Sequence, residues 1–76
     1  MYYLIMENKH LKILGEAIRI ERLKRHLSQE RFAELTGISS FQHIGKIEKG
    51  EIDIRVSTLF KILGVLDLRL EDLIKL

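Results

Sequence analysis

Two glycines, Gly37 and Gly50, divide the middle of this 76-residue chain into two short helical segments. Glycine takes the left-handed conformation after a helix with the least steric strain, so each glycine ends the segment before it. We predict one helix from about Gln29 to Leu35 and a second from Ser39 or Ser40 to Lys49. Two short helices joined by a glycine-containing turn are typical of a helix-turn-helix.

Serines precede both segments at positions typical of helix N-caps. Ser28 precedes the first segment, and Ser39 with Gln42 fits the Ser-x-x-Gln capping box of the second. Within the second segment, the 100° rotation per residue turns Ile44 and Ile47 inward. The opposite side then carries Gln42, Lys46 and Lys49.

Three further helices are predicted around this pair. Residues 11–26 carry apolar side chains at helical spacing, with Leu11, Leu14 and Ile18 in one row and Ile13, Ala17 and Ile20 in the next. Ser57 is expected to cap a fourth helix, whose apolar residues are Leu59, Phe60, Ile62, Leu63 and Leu66, and residues 70–76 form a last short one. The expected fold class is therefore all-α, a bundle of five helices.

Composition excludes several other classes of protein. The chain has no cysteine, which removes disulfides and cysteine–zinc sites, and its three histidines lack metal-ligand spacing, so we expect neither a metal nor a cofactor. No nucleophile–base set or glycine-rich phosphate loop is present, so an enzyme is not expected. No segment reaches the length of a membrane helix, and we expect a cytoplasmic protein without membrane contact.

Positive charge is concentrated in the first two-thirds of the chain. Residues 9–49 contain nine Lys and Arg against five Asp and Glu, whereas residues 50–76 contain four against five. An excess of cations on one part of a small domain favours a polyanionic partner there. Charge alone is weak evidence, because solvated helices have similar compositions.

Beyond these patterns, the sequence resembles the lambda-repressor-like helix-turn-helix family, also called the Cro/C1 or XRE type. The resemblance covers roughly residues 12–76 and is carried by Leu14-Gly15-Glu16, Ile18-Arg19, Arg22, Leu27-Ser28-Gln29-Glu30, Ala33, Gly37-Ile38-Ser39, Ile44-Gly45-Lys46-Ile47-Glu48-Lys49-Gly50, Ser57-Thr58-Leu59 and Leu70-Glu71-Asp72-Leu73. One feature departs from the family pattern: the interval from Gly37 to Glu48 is one residue longer than usual. The extra residue lies within 39–43, where the residues that contact bases are expected.

The resemblance implies a sequence-specific, DNA-binding transcriptional regulator, similar to the restriction–modification controller proteins. It implies a homodimer on double-stranded DNA, with the third helix (about 39–49) in the major groove. Residues 11–76 would form the DNA-binding domain and residues 1–10 an N-terminal extension. The alternative is an antitoxin-type module that binds a protein partner and also its own promoter; a toxin or polymerase partner stays open.

The expected base contacts are Gln42, Lys46, Phe41 and Ser40. Glutamine can pair with adenine through two hydrogen bonds, and lysine can donate to guanine or to a phosphate. Gln42 is alternatively a capping-box residue. Phe41 either contacts a thymine methyl group or folds back onto Phe32 and Ile38.

The expected phosphate contacts are Ser28, Gln29, His43, Lys49 and Arg55. Ser28 begins a helix, where backbone N–H groups favour anions, and Gln29 matches a family glutamine that binds a phosphate. His43 lies either at the edge of the core or near a phosphate. Lys49 and Arg55 are alternatively solvated surface charges, and the acidic Glu51 and Asp53 make this loop less suited to DNA.

Two further roles concern structure and assembly. The resemblance implies an ion pair between Arg22 and Glu48 that sets the orientation of the third helix. The apolar end of the chain is expected to form a two-fold dimer interface through Ile74, Leu76 and Leu70. Residues 2–5 have strand character, and they pair in the dimer, pack on the first helix or form a disordered extension.

Overall fold

The computed structural model describes the backbone of residues 2–74 and the side chains of residues 9–74. It contains five helices: α1 (Tyr2–Lys24), α2 (Gln29–Thr36), α3 (Phe41–Lys49), α4 (Val56–Leu66) and α5 (Leu70–Leu73). The predicted all-α fold of five helices is confirmed, and residues 2–74 contain no strand. None of these helices combines the length and the apolar character that crossing a membrane requires.

Each helix contributes at least one buried apolar side chain to a single core. Phe32 of α2, Ile18 of α1 and Ile62 of α4 are completely buried, and Ile44 of α3 and Leu73 of α5 are nearly so. The remaining buried apolar residues are Ala33, Ile47, Leu63 and Leu66. α3 packs against both α1 and α2, so its orientation is fixed from two sides.

The first helix begins well before the predicted start at residue 11. It runs from Tyr2, so the segment that had strand character is the first part of α1. No glycine or proline interrupts residues 2–14, so helical hydrogen bonding extends along this segment once the helix has formed. α1 ends at Lys24 rather than at residue 26, because His26 adopts a left-handed conformation with a φ of 56°.

Four apolar side chains of the predicted helices are exposed. Ile13, Ile20, Leu35 and Phe60 retain 52%, 42%, 43% and 62% of their accessible surface. Each lies well away from the buried side of its helix, because one helix turn brings only every third or fourth residue back to the core. In α2 the inward position next to Leu35 is taken by Thr36, whose hydroxyl donates to the Phe32 carbonyl at 2.8 Å.

The turn between α2 and α3 contains both Ser39 and Ser40. Gly37 has a φ of 74° and ends α2, and Ser40 is the extended N-cap of α3, with its Oγ accepting from the His43 N–H at 3.3 Å. The predicted capping box of Ser39 with Gln42 is therefore wrong. Of the segment 39–43, in which the extra residue was predicted, residues 39 and 40 lie in this turn and residues 41–43 form the start of α3, which is a regular helix from Phe41 to Lys49.

Both C-terminal helices differ from their predicted bounds. α4 begins at Val56 and its N-cap is Arg55, whose side chain makes no capping hydrogen bond, so Ser57 is not the cap. α5 ends at Leu73, and Ile74 has an extended backbone with a φ of −120°. The predicted interface residue Leu76 lies outside the described residues.

Candidate nucleic-acid interface

The two sides of α3 differ sharply in burial and polarity. Ile44 and Ile47 are 1% and 4% exposed and point into the core. Gln42, Lys46 and Lys49 are exposed on the opposite side of the helix. A helix with one buried apolar side and one exposed polar side can approach a groove of DNA without disturbing the core.

The beginning of α3 carries the other predicted contact residues. Ser40 is half-buried and caps the helix, whereas Phe41, at 41% exposure, lies outside the buried core. His43 is exposed as well. Since Ser40 forms the cap with the His43 N–H, Gln42 has no capping role and its amide is free to face outward.

The start of α2 brings two predicted phosphate contacts close to α3. Ser28 Oγ accepts from the Arg31 N–H at 3.0 Å, which makes Ser28 the N-cap of α2. Gln29 is half-buried, and its Nε2 donates to Glu48 Oε1 at 3.1 Å. The amide nitrogen of glutamine carries two hydrogens, so one remains available to a ligand in addition to Glu48.

A buried ion pair joins α1 to the end of α3. Arg22 Nε donates to Glu48 Oε2 at 2.6 Å, and Arg22 Nη2 donates to Glu48 Oε1 at 3.1 Å. The same guanidinium also donates from Nη1 to the Leu27 carbonyl at 2.7 Å. Both charged side chains are less than one-tenth exposed, and charged hydrogen bonds in such surroundings are strong and directional.

Glycines allow the backbones of α1 and α3 to approach closely. A Cβ at Gly15 would lie 2.6 Å from the Glu48 carbonyl oxygen and still closer to that of Ile47. Gly50, which has a φ of 71°, ends α3 against Lys12, and a Cβ there would lie 2.7 Å from the Lys12 backbone nitrogen. These two contacts hold the C-terminal end of α3 directly against α1.

Two clefts flank the outward side of α3. The first, which we call the α1–α3 cleft, is lined by Lys12, Glu16, Arg19, Gln29, Gly45, Glu48 and Lys49. The second, the α3–α4 cleft, includes Ser39, His43, Asp53, Arg55 and Lys61. Gly45 and His43 lie roughly 160° apart around the helix axis, so the clefts open on opposite sides of the Gln42–Lys46 face.

Several cations form ion pairs with neighbouring carboxylates. Arg25 and Lys24 pair with Glu21, Arg31 pairs with Glu34, and Arg19 pairs with Glu16. By contrast, Lys12, Lys46 and Lys49 form no ion pair among the side chains that the structure describes. Uncompensated positive charge therefore lies around the outward side of α3.

The clefts divide the predicted phosphate contacts into two groups and add residues that sequence reasoning missed. Gln29 and Lys49 line the α1–α3 cleft, whereas His43 and Arg55 line the α3–α4 cleft. The missed cations are Lys12 and Arg19 in the first cleft and Lys61 in the second. Lys12 and Arg19 are seven residues apart, and this spacing of two helical turns was the signal that they share one side of α1.

Two of the predicted dimer residues, Leu70 and Ile74, lie in α5 and directly after it. Leu70 is 42% exposed, and Ile74 is half-buried against the core. The structure adds two exposed apolar residues that were not predicted for this role. These are Val56 and Phe60, which are 66% and 62% exposed and lie one turn apart on α4.

Comparison with known proteins places this arrangement in a family. The sequence model of the helix-turn-helix family matches residues 18–73. Among solved structures, the chain is similar to the restriction-modification controller protein C.AhdI from Aeromonas hydrophila, with a TM-score of 0.81 and 27% sequence identity. That alignment covers 87% of this chain and 98% of the controller protein. No curated protein sequence matches the chain.

The chain belongs to the helix-turn-helix family, because the family model covers more than half of its length. It is a DNA-binding transcription regulator of the Cro/C1 type and not an enzyme. The resemblance identified in the sequence is thereby confirmed.

Proposed function

We propose that the chain is a sequence-specific regulator that binds double-stranded DNA as a homodimer, with α3 in the major groove. Gln42 and Lys46 contact base edges from the outward side of α3, with Phe41 and Ser40 at its beginning. Ser28, Gln29, His43, Lys49 and Arg55 contact phosphates. Arg22 and Glu48 hold α3 at the angle that this geometry requires, and residues 11–76 form the DNA-binding domain.

One observation carries this proposal: the exposed polar side of α3 lies between two clefts that contain cations. A helix in the major groove has a phosphate backbone on each side of it. Gln29 and Lys49 are available to one backbone, and His43 and Arg55 to the other. The exposed Gln42 and Lys46 lie between these two groups, one turn apart, as base contacts require.

The proposed dimer interface consists of exposed apolar side chains on α4 and α5. Val56 and Phe60 are exposed on α4, and Leu70 is exposed at the start of α5. A second copy related by a two-fold axis would cover these side chains and place two α3 helices about 34 Å apart along the duplex. Ile74 belongs to the same proposed interface, and Leu76, the other residue predicted for it, lies outside the described residues.

The similarity to C.AhdI supports a stand-alone regulator of the controller type. A regulator of this kind needs only a DNA-binding surface and a dimer interface. The alternative antitoxin-type role requires a separate protein partner. A second protein that copurifies in fixed stoichiometry and blocks dimer formation would favour that alternative.

Selection of bound sequences from a random DNA pool tests the proposed function. We expect the selected sites to be palindromic, because a two-fold dimer reads the same half-site twice. The affinity for a selected site should then fall steeply with increasing salt, since lysine–phosphate contacts release counterions. If no sequence is enriched and binding does not depend on salt, the proposal is contradicted.

Variants of α3 separate base contacts from phosphate contacts. Gln42→Ala should change the preference at one base pair of each half-site by about 1–3 kcal/mol, while Lys49→Ala should weaken binding to all sequences alike. Lys24→Ala is the matched control, because it removes one exposed positive charge from a part of α1 that lines neither cleft. Equal affinities of all three variants for the selected site would refute the assignment of this surface.

A further inference from the structure

Two cations of α1 share a cleft with proposed phosphate contacts. Lys12 and Arg19 line the α1–α3 cleft, and Gln29 and Lys49 line it from α2 and α3. We propose that Lys12 and Arg19 form an additional binding site for the DNA backbone, so that the contact with DNA extends from α3 onto α1. This inference rests on the proposed function and adds a site that the helix-turn-helix itself does not contain.

The position of Lys12 follows from backbone packing. Gly50 lies against the Lys12 backbone so closely that a Cβ would be 2.7 Å from the Lys12 nitrogen and Cα. The Lys12 side chain therefore starts beside Gly50, the residue that follows Lys49 at the end of α3. Because both lysines are exposed, their ammonium groups can reach the same phosphate or two neighbouring ones.

The charge balance of the cleft favours an anion. Glu48 is buried and fully engaged by Arg22 and Gln29, so its charge is compensated within the protein. Glu16 pairs with Arg19 at 3.6 Å, and both side chains are about half exposed. Exposed ion pairs of this kind contribute little to stability, so a phosphate can replace Glu16 as the partner of Arg19.

Gly45 leaves space for a phosphate in the same cleft. A Cβ at this position would meet only the Gln29 amide, at 3.7 and 3.8 Å, which is ordinary van der Waals distance. Packing therefore does not require a glycine here. Because glycine has no side chain, the cleft stays open between Gln29 and Lys49, where the backbone of the DNA would pass.

The salt dependence of DNA binding tests this site. Lys12→Gln and Arg19→Gln should each reduce the slope of log affinity against log salt by about one, and they should weaken binding to selected and scrambled duplexes by the same factor. Lys24→Gln is the control, because Lys24 lies on α1 outside the lining of the α1–α3 cleft, and it should leave the slope unchanged. Glu16→Gln should strengthen binding, because it removes a negative charge from the cleft, whereas Glu34→Gln on α2 should not.

The outcomes separate this inference from the proposed function. If Lys49→Gln lowers the slope but Lys12→Gln and Arg19→Gln behave like Lys24→Gln, the α1 site is refuted and the function stands. A change in sequence preference in the α1 variants would also refute it, since phosphate contacts do not read bases. If the unmodified protein itself shows no salt-dependent binding, the proposed function fails and the α1 site with it.

Discussion

Arg22 donates two hydrogen bonds to Glu48, from Nε to Oε2 at 2.6 Å and from Nη2 to Oε1 at 3.1 Å. This pair joins the first helix to the end of the third. Glu48 in turn accepts from Gln29, so three helices meet at one carboxylate. Because the pair is buried, removing either partner would leave an uncompensated charge inside the protein, which would destabilise the fold strongly. The orientation of α3 therefore depends on a contact that does not face DNA.

Breaking this pair should destabilise the fold strongly. Glu48→Ala and Arg22→Ala should each lower the free energy of unfolding by about 3–5 kcal/mol, because each leaves an uncompensated buried charge. The double variant should lose less than the sum of the two, as urea unfolding would measure. The control is Arg31 with Glu34, whose side chains are 59% and 68% exposed and whose removal should change stability by at most about 1 kcal/mol. Strictly additive losses for Arg22 and Glu48 would contradict this interpretation.

Two glycines inside helices should respond to alanine in opposite ways. Gly15→Ala should destabilise the protein by about 1–3 kcal/mol, because the new Cβ would overlap the backbone carbonyls of α3. Gly45→Ala should stabilise it by about 0.5–1 kcal/mol, because alanine favours the helix and the site has room. Gly45→Ala should nevertheless weaken DNA binding by narrowing the α1–α3 cleft. Thermal unfolding measures the two predicted changes in stability. Equal shifts of the melting temperature in Gly15→Ala and Gly45→Ala would contradict this account of the packing.

A charge on the exposed surface of α4 should prevent dimer formation. Phe60→Glu should give a monomer in sedimentation equilibrium and lower the affinity for a palindromic site, since the two half-sites are no longer bound as a unit. Ile20→Glu changes a similarly exposed apolar residue on α1 and should leave the dimer intact. A dimeric Phe60→Glu variant would show that the interface lies elsewhere.

Glu21 should make stability depend on pH in the acidic range. Hydrogen bonds from Arg25 and then Lys24 hold the pKa of Glu21 below its ordinary value of 4.5. A carboxyl with a lowered folded-state pKa stabilises the fold above its unfolded-state pKa, and this contribution is lost as the pH falls through the folded-state pKa. Glu21→Gln should therefore be less stable than the unmodified protein at neutral pH, and the difference should shrink below about pH 4.5. A difference in unfolding midpoint that stays constant down to acidic pH would argue against this role.

The sequence predicts the parts of the fold that depend on local rules. Glycines at 37 and 50 mark the ends of α2 and α3, and the spacing of Ile44 and Ile47 predicts which side of α3 is buried. The choice between Ser39 and Ser40 as N-cap is not local, because both serines can cap. It is decided by how the turn after Gly37 positions the chain.

Exposure and tertiary neighbours were harder to predict. Phe60 is apolar and lies on an apolar helix, yet nothing in its own sequence neighbourhood indicates that it faces away from the core. Lys12 and Arg19 come close to Gln29 and Lys49 only because Gly15 and Gly50 let two backbones approach. Contacts of this kind depend on how whole helices pack against each other. The spacing of residues within one helix gives no information about that packing.

The most direct test of the account is a titration of the isotope-labelled protein with a selected DNA duplex, followed residue by residue through backbone amide chemical shifts. We predict that the largest changes fall at Ser28 and Gln29 and along the outward side of α3 at Gln42, Lys46 and Lys49. Amides that shift only in α4 and α5, while those of α3 stay in place, would contradict the claim that this side of α3 contacts DNA.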